Sequence, residues 1–515
     1  MGAPVKRRED QRLITGQGQY ADDIGVVGAL HAAFVRSPHA HARIKGIDSA
    51  AAAKLPGVRE IVTGEQIPAR GPDPRALGVP LPPDSPDLHP APWRALAVDR
   101  VRHVGEPVAV VLADSAYAAR DAADQVEVEY EPLPAISDPE KALAEGAPVL
   151  FDELGSNLAF KYTMGSSDVD EALKAADEVV HLSIRQRRLA AMAMEPRATV
   201  AQYDGFSGGI TVWTATQAPH FALHTMAATL GIPENKLRVV TRDMGGGFGL
   251  KAVLYGDEIA VVYLAWSRKC TIRWSETRSE SFRAMAQGRG LKSDVTLGIN
   301  RDGTLAAMRV DILADQGSAI PPNGAVPATM ASVLAAGVYK TPKVAANVIG
   351  VYTDRAPTSP YRGSGRPEAL YAMERAIDVA ARKIGMDPAE VRRRNYVDEF
   401  PYSTPTHSTY DVGDYTGALE KALQAIDYDK LRREQEKLRD EGRYIGIGIS
   451  SFVDSSAPMG WESGTVRVDR GGKITLLTGS SAHGQGHATT FSQILADVLT
   501  VPMEDIEVIH GDTES

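Results

Sequence analysis

Two segments of the 515-residue chain align with each other without a gap. Leu230–Asp243 matches Leu499–Asp512, and each aligned residue of the second segment lies 269 positions after its counterpart. Both segments keep a proline, an apolar run and a final aspartate, and each follows an apolar helical stretch and a polar loop with a glutamine, Gln217 or Gln485. The repeat predicts two copies of one strand–helix–strand unit, which any fold proposed for the chain has to contain.

The two copies differ in the length of chain after them. The first continues for about 150 residues as far as Asn395, whereas only Thr513–Ser515 come after the second. A strand that lacks neighbours on one side leaves an exposed edge. We therefore expect the second half-domain to be completed by another chain, or the chain to be a shortened product.

A glycine-rich stretch follows the first copy. Gly245–Gly249 is interrupted only by Phe248, and Lys251 closes the run. Glycine reaches positive φ without steric cost, and successive bare N–H groups form a concave anion site. A nucleotide loop is not indicated, because Leu250 separates the last glycine from the lysine and no three glycines have the dinucleotide spacing. The stretch predicts either a backbone cradle for an anionic ligand or a tight turn.

Hydrophobic patterning divides the chain into three regions, 1–140, 141–400 and 401–515. In the first region, Pro107–Ala113 is an apolar run of strand length, and Ser115 caps a helix that ends near Ala123. A loop rich in proline and aspartate is predicted at Pro68–Pro92. The third region predicts two helices followed by strands from Gly446 onwards.

Composition argues against several classes of protein. The net charge of −10 disfavours nucleic acid as the main partner, and no run of 18 apolar residues indicates a membrane span. Cys270 is the single cysteine, so this chain alone holds neither a disulfide nor an iron–sulfur cluster. No apolar signal-peptide core follows Met1, and a cytoplasmic location is expected.

Seven short motifs occur along the chain. They are Gly105–Ala109, Val126–Pro134, Met194–Arg197, Thr216–Gln217, Gly245–Lys251, Tyr361–Arg366 and Gly484–Gly486. In this order they resemble the molybdenum-cofactor subunit of the xanthine oxidase family. That family includes carbon monoxide dehydrogenase, aldehyde oxidoreductases and bacterial N-heterocycle hydroxylases.

The resemblance implies an α+β fold with a duplicated cofactor-binding part. An N-terminal α/β hammerhead domain (1–140) precedes two molybdopterin-binding α+β domains, 141–400 and an incomplete 401–515. The implied cofactor is a molybdenum-pyranopterin, either molybdopterin or its cytosine dinucleotide form, whose dithiolene holds the metal without a direct protein ligand. Glycine loops suit such a cofactor, because an anionic pterin phosphate needs many backbone N–H groups and few carboxylates.

The family positions of the loops imply the site residues. The implied cofactor contacts are Gln217, Gly246, Gly247, Phe248, Gly249, Arg362, Gly484, Gln485 and Gly486. Gln217 and Arg362 are the implied catalytic residues: Gln217 hydrogen-bonds an oxygen ligand of the metal, and Arg362 stabilises negative charge developing on the substrate. The Phe248 N–H is placed near the metal ligands. From its sequence neighbours alone, Arg362 could equally pair with Glu368 at the start of a helix.

The implied reaction inserts water-derived oxygen at an electron-poor carbon of an N-heterocycle or aldehyde. Electrons then pass to iron–sulfur clusters and FAD, which requires a small [2Fe-2S] subunit and an FAD subunit. Where another chain completes the second half, a second molybdopterin-binding chain joins them. In the family pattern, the glutamate that acts as the general base lies beyond the position of Ser515. No residue of this chain is therefore assigned as the general base.

Three positions narrow the substrate. Gly363 stands where carbon monoxide dehydrogenase carries a cysteine, which disfavours CO oxidation. Ala252 and Ser364 replace a glutamate and an aromatic residue of purine oxidases, which disfavours xanthine. Two alternatives stay open: an inactive or structural half-subunit that needs another chain for its glutamate, and a nucleotide-binding dehydrogenase that lacks the usual fingerprint.

Overall fold

The computed structural model of the protein describes residues 1–67, 87–454 and 462–515. The α-helices are α1 (Arg8–Ile14), α2 (Ala116–Ala123), α3 (Val169–Ala175), α4 (Pro219–Leu230), α5 (Gly256–Arg268), α6 (Arg278–Ala284), α7 (Val326–Val333), α8 (Arg366–Lys383), α9 (Pro388–Asn395), α10 (Tyr415–Ala425), α11 (Tyr428–Asp440) and α12 (His487–Leu499). The strands up to residue 204 are β1 (Leu30–Arg36), β2 (Ala42–Asp48), β3 (Val58–Thr63), β4 (Asp87–Leu88), β5 (Arg100–Val101), β6 (Pro107–Ala113), β7 (Glu127–Pro132), β8 (Leu158–Gly165), β9 (Glu178–Gln186) and β10 (Ala198–Asp204). The remaining strands are β11 (Gly209–Thr214), β12 (Leu237–Val240), β13 (Thr271–Ser275), β14 (Leu291–Ile299), β15 (Leu305–Gly317), β16 (Lys343–Tyr352), β17 (Tyr402–Ser403), β18 (Thr409–Tyr410), β19 (Gly464–Val468), β20 (Ile474–Thr478) and β21 (Ile506–His510). The predicted loop Pro68–Pro92 lies mostly outside the described residues, and its described end contains β4.

The largest sheet has seven strands in the order β12-β11-β10-β13-β1-β6-β3. Its strand β6 is apolar throughout because both of its faces are buried. Val110 and Leu112 join the core that α4 and α5 form on one face, whereas Val111 and Ala113 pack with α2 on the other. Since β1 pairs with β13, this sheet combines strands from the predicted regions 1–140 and 141–400.

A second sheet of six strands has the order β4-β8-β16-β15-β14-β9. Helix α8 packs on β9 and β14, and α7 packs on β15 and β16, so the largest core of the chain lies between this sheet and these helices. Two glycine-rich loops leave the sheets at strand ends: Gly245–Gly249 follows β12, and Tyr361–Gly365 connects β16 to α8. Mixed parallel and antiparallel sheets packed with helices confirm the predicted α+β class.

The internal repeat is confirmed as two copies of one strand–helix–strand unit. Copy 1 consists of β11, α4 and β12, copy 2 of β20, α12 and β21, and the two strands of each copy are parallel. Each helix ends at a left-handed residue, Gly231 with φ 67° in copy 1 and its counterpart Thr500 with φ 58° in copy 2. Aligned 3-10 turns follow, Glu234–Lys236 and Met503–Asp505.

Copy 2 belongs to a separate three-stranded sheet of the order β19-β20-β21. Its edge strand β19 begins at Gly464, and residues 446–454 carry no strand, so the expectation of strands from Gly446 is wrong. Residues 455–461 are not among the described residues. None of the helices in the described ranges is both long enough and apolar enough to cross a membrane.

The two copies meet where β12 and β21 end. The Thr241 N–H donates to the Gly511 carbonyl at 2.7 Å, and the Arg238 guanidinium binds the Asp512 carboxylate with an Nε–Oδ1 distance of 3.0 Å. We call these contacts the inter-copy seam. Because the strands meet at these ends, the loops that precede α4 and α12 lie side by side.

Helix α1 contacts both copies. The Arg8 guanidinium donates to Ser492 Oγ at 2.8 Å and to two main-chain carbonyls of copy 2. The Arg12 guanidinium forms a two-bond ion pair with Asp243, the last residue of the first repeat segment. The α1 segment therefore holds the copies together from the outside of the seam.

Candidate functional site

The glycine loop Gly245–Gly249 has a backbone that side chains would obstruct. Gly246 and Gly249 have φ values of 91° and 100°. A Cβ on Gly249 would lie 2.3 Å from the Pro360 carbonyl oxygen, and a Cβ on Gly247 would lie 2.4 Å from Gln217 Oε1. The loop therefore needs glycine for conformation and for the close approach of its neighbours.

Phe248 adopts left-handed backbone geometry, with φ 56°, which is uncommon for a bulky residue. Its carbonyl accepts the Arg362 N–H at 2.9 Å, so two predicted site residues are in direct contact. The ring is 39% exposed and does not anchor the loop in a core. Strained backbone of this kind persists where the surroundings determine it, and it is enriched at ligand sites.

The loop presents three successive N–H groups without protein acceptors. Within the described residues, the N–H groups of Gly246, Gly247 and Phe248 donate to no protein atom. The next N–H along the chain, that of Gly249, donates to Gln217 Oε1 at 2.7 Å and so fixes the Gln217 amide beside the loop. Consecutive free N–H groups create a concave site for negatively charged atoms.

Gln217 also reaches the loop of copy 2. Its Nε2 lies 3.1 Å from His483 Nε2, and His483 Nδ1 lies 3.1 Å from the Ser481 carbonyl. A ring that donates from Nδ1 to that carbonyl has one acceptor at Nε2, and this acceptor faces the amide nitrogens of both Gln217 and Gln485, the latter at 2.9 Å. Burial lowers the pKa of His483, which keeps the ring neutral and able to accept.

The loop of copy 2, Gly484–Gly486, has a second run of free N–H groups. In the described part of the chain, these three residues donate to no protein acceptor from the main chain, and Gly484 and Gly486 have φ of 122° and 79°. The Gln485 Oε1 accepts a hydrogen bond from the main-chain N–H of His483 at 2.7 Å, and this bond shapes the turn. Beside this run, Ser481 Oγ and His487 Nδ1 are buried and have no hydrogen-bond partner among the residues that the structure describes.

The observed groups fit an anionic pterin cofactor. Two runs of N–H donors come from different copies, and two polar atoms buried beside the second run have no partner in the described parts of the chain. Such groups cost free energy unless a ligand or water satisfies them. Among the described residues, no group of three or more His, Cys, Asp or Glu side chains could hold a metal ion alone.

The arginine loop Tyr361–Gly365 lies against the glycine loop. The Arg289 guanidinium holds it by donating to the Tyr361 carbonyl at 2.9 Å and to the Arg362 carbonyl at 2.8 Å. Glu368 pairs with Arg289 at 3.3 Å, and its other oxygen accepts the Gly365 N–H at 2.8 Å. The alternative ion pair between Arg362 and Glu368 is therefore wrong. The Arg362 side chain is exposed, and no described residue pairs with it.

The two positions assigned to the substrate lie on these same loops. Ser364 has φ 35°, and its Oγ is buried without a partner in the described structure. Ala252 is half-buried just after the glycine loop, where its N–H donates to the Gly249 carbonyl at 3.1 Å. Contact with a substrate stays a prediction for both residues.

Charged residues buried behind the loop form a rigid floor. Arg197 is 1% exposed and pairs with Asp257 at 2.7 Å and with Glu276 at 2.5 Å. Its guanidinium lies 3.9 Å from the ring centroid of Tyr255, whose hydroxyl donates to the Leu250 carbonyl at 2.7 Å. Burial alone would raise the pKa of Asp257, but the arginine charges bring it down to about 2. Asp257 therefore stays ionised beside Arg197, and Tyr255 connects this cluster to the end of the glycine loop.

Sequence reasoning missed three residues of the site. His483 joins the two loops, and Glu195 and Lys251 form a buried ion pair at 2.9 Å beneath the glycine loop. Each lies inside or next to a motif already recognised, and that position is the only sequence signal that could have pointed to it. The contact of His483 with Gln217, and those of Glu195 with Gly245 and Lys251, join residues at least 50 positions apart, so no local spacing encodes them.

Family comparisons agree with this geometry. Residues 150–396 match one family of molybdopterin cofactor-binding domains, and residues 421–515 match a second family with the same description. Residues 15–134 match the a/b hammerhead domain of aldehyde oxidase and xanthine dehydrogenase. The two cofactor-binding matches each include one copy of the repeat and one run of free N–H groups.

Several proteins of similar sequence are longer than this chain. The nicotine 6-hydroxylase large subunit of Paenarthrobacter nicotinovorans is 35% identical, over 99% of this chain and 64% of its own length. The carbon monoxide dehydrogenase large chain of Afipia carboxidovorans is 34% identical, over 100% and 67%. Quinoline 2-oxidoreductase from Pseudomonas putida 86 superposes with a TM-score of 0.92 at 34% identity, over 100% of this chain and 67% of that one. The chain thus spans about two thirds of the length of these relatives, and it belongs to the xanthine oxidase family of molybdenum-binding large subunits.

Proposed function

We propose that the chain is the cofactor-binding catalytic subunit of a molybdenum hydroxylase that inserts water-derived oxygen at an electron-poor carbon. The observation that carries the proposal is the meeting of two runs of free N–H groups, Gly246–Phe248 and Gly484–Gly486, beside Gln217 and Arg362. When bound, the molybdenum-pyranopterin supplies a redox-active, Lewis-acidic centre for this chemistry. The two copies would hold it between them.

Gln217 is proposed to orient a polar group of the bound cofactor. Its Oε1 is already used by the Gly249 N–H, so the amide cannot turn over without losing that bond. Its Nε2 carries two hydrogens, and the contact with His483 uses one of them. The second hydrogen is free to donate to an oxygen in the site, in a direction fixed by both neighbours.

Arg362 is proposed to stabilise negative charge on the reacting substrate. A guanidinium stays protonated at any working pH, and no described carboxylate pairs with this one. Its main chain is bonded on both sides, to the Phe248 carbonyl and to Arg289, so the loop that carries it is held in place. A preorganised, unpaired cation acts on charge that develops during reaction.

N-heterocycles are the substrate class that we favour, with aldehydes as the second class. The similar proteins named nicotine 6-hydroxylase and quinoline 2-oxidoreductase support the first class. Ala252 and Ser364 carry small side chains where purine oxidases carry larger ones, and the Ser364 Oγ has no hydrogen-bond partner among the described residues. The glycine at position 363 supports the view that CO is not the substrate.

Electron transfer requires partner chains in this proposal. Cys270 is the single cysteine and is half-buried, so a [2Fe-2S] subunit and an FAD subunit have to supply the clusters and the flavin. The names of two relatives, a large subunit and a complex subunit gamma, support a multi-subunit assembly. A further molybdopterin-binding chain and a cytoplasmic location belong to the same proposal.

The test uses the assembly purified through a tag on this chain. Molybdenum and pterin are measured per chain, and turnover is assayed with nicotine, quinoline, benzaldehyde, xanthine and CO in ¹⁸O-labelled water. We expect one molybdenum-pterin per chain and ¹⁸O in the product of a heterocycle. Arg362→Met should lower kcat by about 100-fold or more while the molybdenum content is kept. Arg375→Met, an exposed arginine of α8, is the matched control.

Three outcomes would count against the proposal. An assembly without molybdenum would exclude the cofactor role. Molybdenum bound without turnover of any substrate, with all subunits present, would favour an inactive or structural role for the chain. An effect of Arg375→Met equal to that of Arg362→Met would show that general surface charge, rather than the arginine loop, controls the rate.

A further inference from the structure

The lysine that closes the glycine loop is not explained by the proposed function. A lysine after a glycine loop commonly contacts a phosphate. Here the Lys251 side chain is 1% exposed, and its Nζ lies 2.9 Å from Glu195 Oε2. The ammonium group therefore points into the protein, under the loop, and does not reach the space in front of it.

Glu195 connects this lysine to the opposite end of the loop. The same Oε2 that pairs with Lys251 accepts the Gly245 N–H at 2.9 Å. The Glu195 N–H in turn donates to the Gly245 carbonyl at 3.2 Å. One carboxylate thus joins the first glycine of the loop to the residue that ends it.

The main chain of Lys251 holds a second part of the site. Its carbonyl accepts the Gln217 N–H at 3.0 Å and the Thr216 hydroxyl at 3.1 Å. The loop ends and the backbone of Gln217 are therefore anchored on a single residue. If Lys251 shifted, both the free N–H groups and the Gln217 amide would shift with it.

We propose that Glu195 and Lys251 form a clasp that sets the conformation of the glycine loop, and that both are positioning residues for the cofactor. The clasp holds the two ends of the loop together. The residues between these ends are thereby restricted to the strained turn at Phe248, in which the N–H groups are free. That the ligand is a molybdenum-pterin rests on the proposed function. The clasp itself rests on the contacts among Glu195, Gly245 and Lys251.

A buried pair of this kind stabilises mainly when both partners are present. Removing one charge leaves the other without a partner in a low-dielectric interior, which is strongly destabilising, whereas removing both charges is often tolerated. Burial lowers the pKa of Lys251 and the Glu195 charge opposes that shift, which agrees with a desolvated pair. The double variant therefore separates general stability from control of the loop.

The experiment compares Glu195→Gln, Lys251→Met and the double variant Glu195→Gln/Lys251→Met in the full chain. Thermal unfolding and pterin content are measured for each, together with amide hydrogen exchange of Gly245, Gly249 and Leu250, the loop residues whose N–H groups have protein acceptors. We expect both single variants to unfold at lower temperature. The double variant should recover most of the melting temperature, yet show at least about tenfold faster exchange of the loop amides and a several-fold lower pterin content.

The control pair is Lys340 and Asp398, an exposed ion pair with a distance of 2.8 Å. Lys340→Met/Asp398→Asn should leave loop exchange and pterin content unchanged. The clasp is overturned if the double variant is folded and its loop amides exchange at the wild-type rate. If the wild-type chain binds no pterin at all, the proposed function fails, while the exchange measurement still decides the clasp.

Discussion

Copy 1 and copy 2 share their turns residue by residue, yet α4 buries six side chains whereas α12 buries two, Thr489 and Ser492. In the last strands, three of the four β12 residues are buried, whereas Ile506 alone is buried in β21. The repeated sequence therefore specifies the strand–helix–strand unit, and the neighbouring elements decide how much core that unit receives. The repeated sequence thus determines the local structure of each copy, whereas the elements packed against a copy determine how stable it is.

The loops of the two copies differ in the same way. Four residues separate β11 from α4, and eight separate β20 from α12. The short loop contributes a side chain, Gln217, whose orientation is fixed by Gly249. The long loop contributes backbone N–H groups at Gly484–Gly486. A duplicated unit can thus supply two different kinds of ligand contact to one site.

The largest expected difference lies between Gly249→Ala and Gly484→Ala. A Cβ on Gly249 meets the Pro360 carbonyl at 2.3 Å in addition to its positive φ, whereas a Cβ on Gly484 meets nothing within 4 Å. We expect losses in the free energy of unfolding of about 4 and about 1 kcal/mol, measured by denaturant titration. Equal losses would contradict the assignment of the close approach to the first loop.

Core truncation gives the second comparison. Met226 in α4 is 0% exposed, and its counterpart Leu495 in α12 is half-buried. Met226→Ala should cost about 3 kcal/mol because it leaves a cavity. Leu495→Ala should cost about 1 kcal/mol, since part of its surface already contacts solvent. Hydrogen exchange of the two helices measures both, and a larger cost at Leu495 would show that copy 2 is buried in solution.

Exchanging the helix-ending residues gives a smaller effect of opposite sign. Thr500 is β-branched and left-handed, so Thr500→Gly should stabilise copy 2 by about 1 kcal/mol. Gly231→Thr is the matched variant, because nothing lies within 4 Å of the added Cβ and the cost of about 1 kcal/mol is conformational. Thermal unfolding checks the pair, and a Thr500→Gly variant of lower stability would contradict the account.

The smallest effect concerns acid at the seam. Burial would raise the pKa of Asp512, but hydrogen bonds, the largest from Arg238, lower it below its usual value. A lowered pKa means that the carboxylate stabilises the fold above about pH 4 and loses this effect as the pH falls further. Because the pair is partly exposed, we expect about 0.5 kcal/mol.

Asp512→Asn tests the acid effect. The variant should lower stability at pH 7, and the difference from the wild type should shrink as the pH falls below about 4 in parallel thermal melts. Asp398→Asn, at an exposed pair remote from the seam, is the control for general charge effects. A difference that stays constant down to pH 3 would show that the Asp512 charge has no part in the seam.

Local patterns were sufficient for several elements. The strand Pro107–Ala113 and the helix capped by Ser115 are confirmed at the predicted bounds, since an apolar run and a capping hydroxyl act on their immediate neighbours. The repeat was also confirmed, because proline and the helix-ending residue have the same local effect in both copies. Gln217, Phe248 and Arg362 were predicted as site residues from motifs, and the structure brings their loops into contact.

Long-range pairings could not be predicted from the sequence. Leu30 in β1 pairs with Ile272 in β13, and the sequence of neither strand predicts that the other is its neighbour in the sheet. The contact of Gln217 with His483 depends on how the seam aligns the copies. Arg362 and Glu368 are close enough in sequence to permit an ion pair, but Arg289 reaches Glu368 from another element. Glu368 therefore pairs with an arginine that is distant in sequence and not with the one nearby.

Copy 1 and copy 2 are proposed to hold one cofactor between their loops. Anomalous diffraction at the molybdenum edge, from crystals of the purified assembly, tests it most directly. We expect one molybdenum peak per chain, adjacent to the Gln217 amide, the Phe248 N–H and the Arg362 side chain. A peak bound elsewhere on the chain, or none in an assembly that turns over substrate, would contradict it.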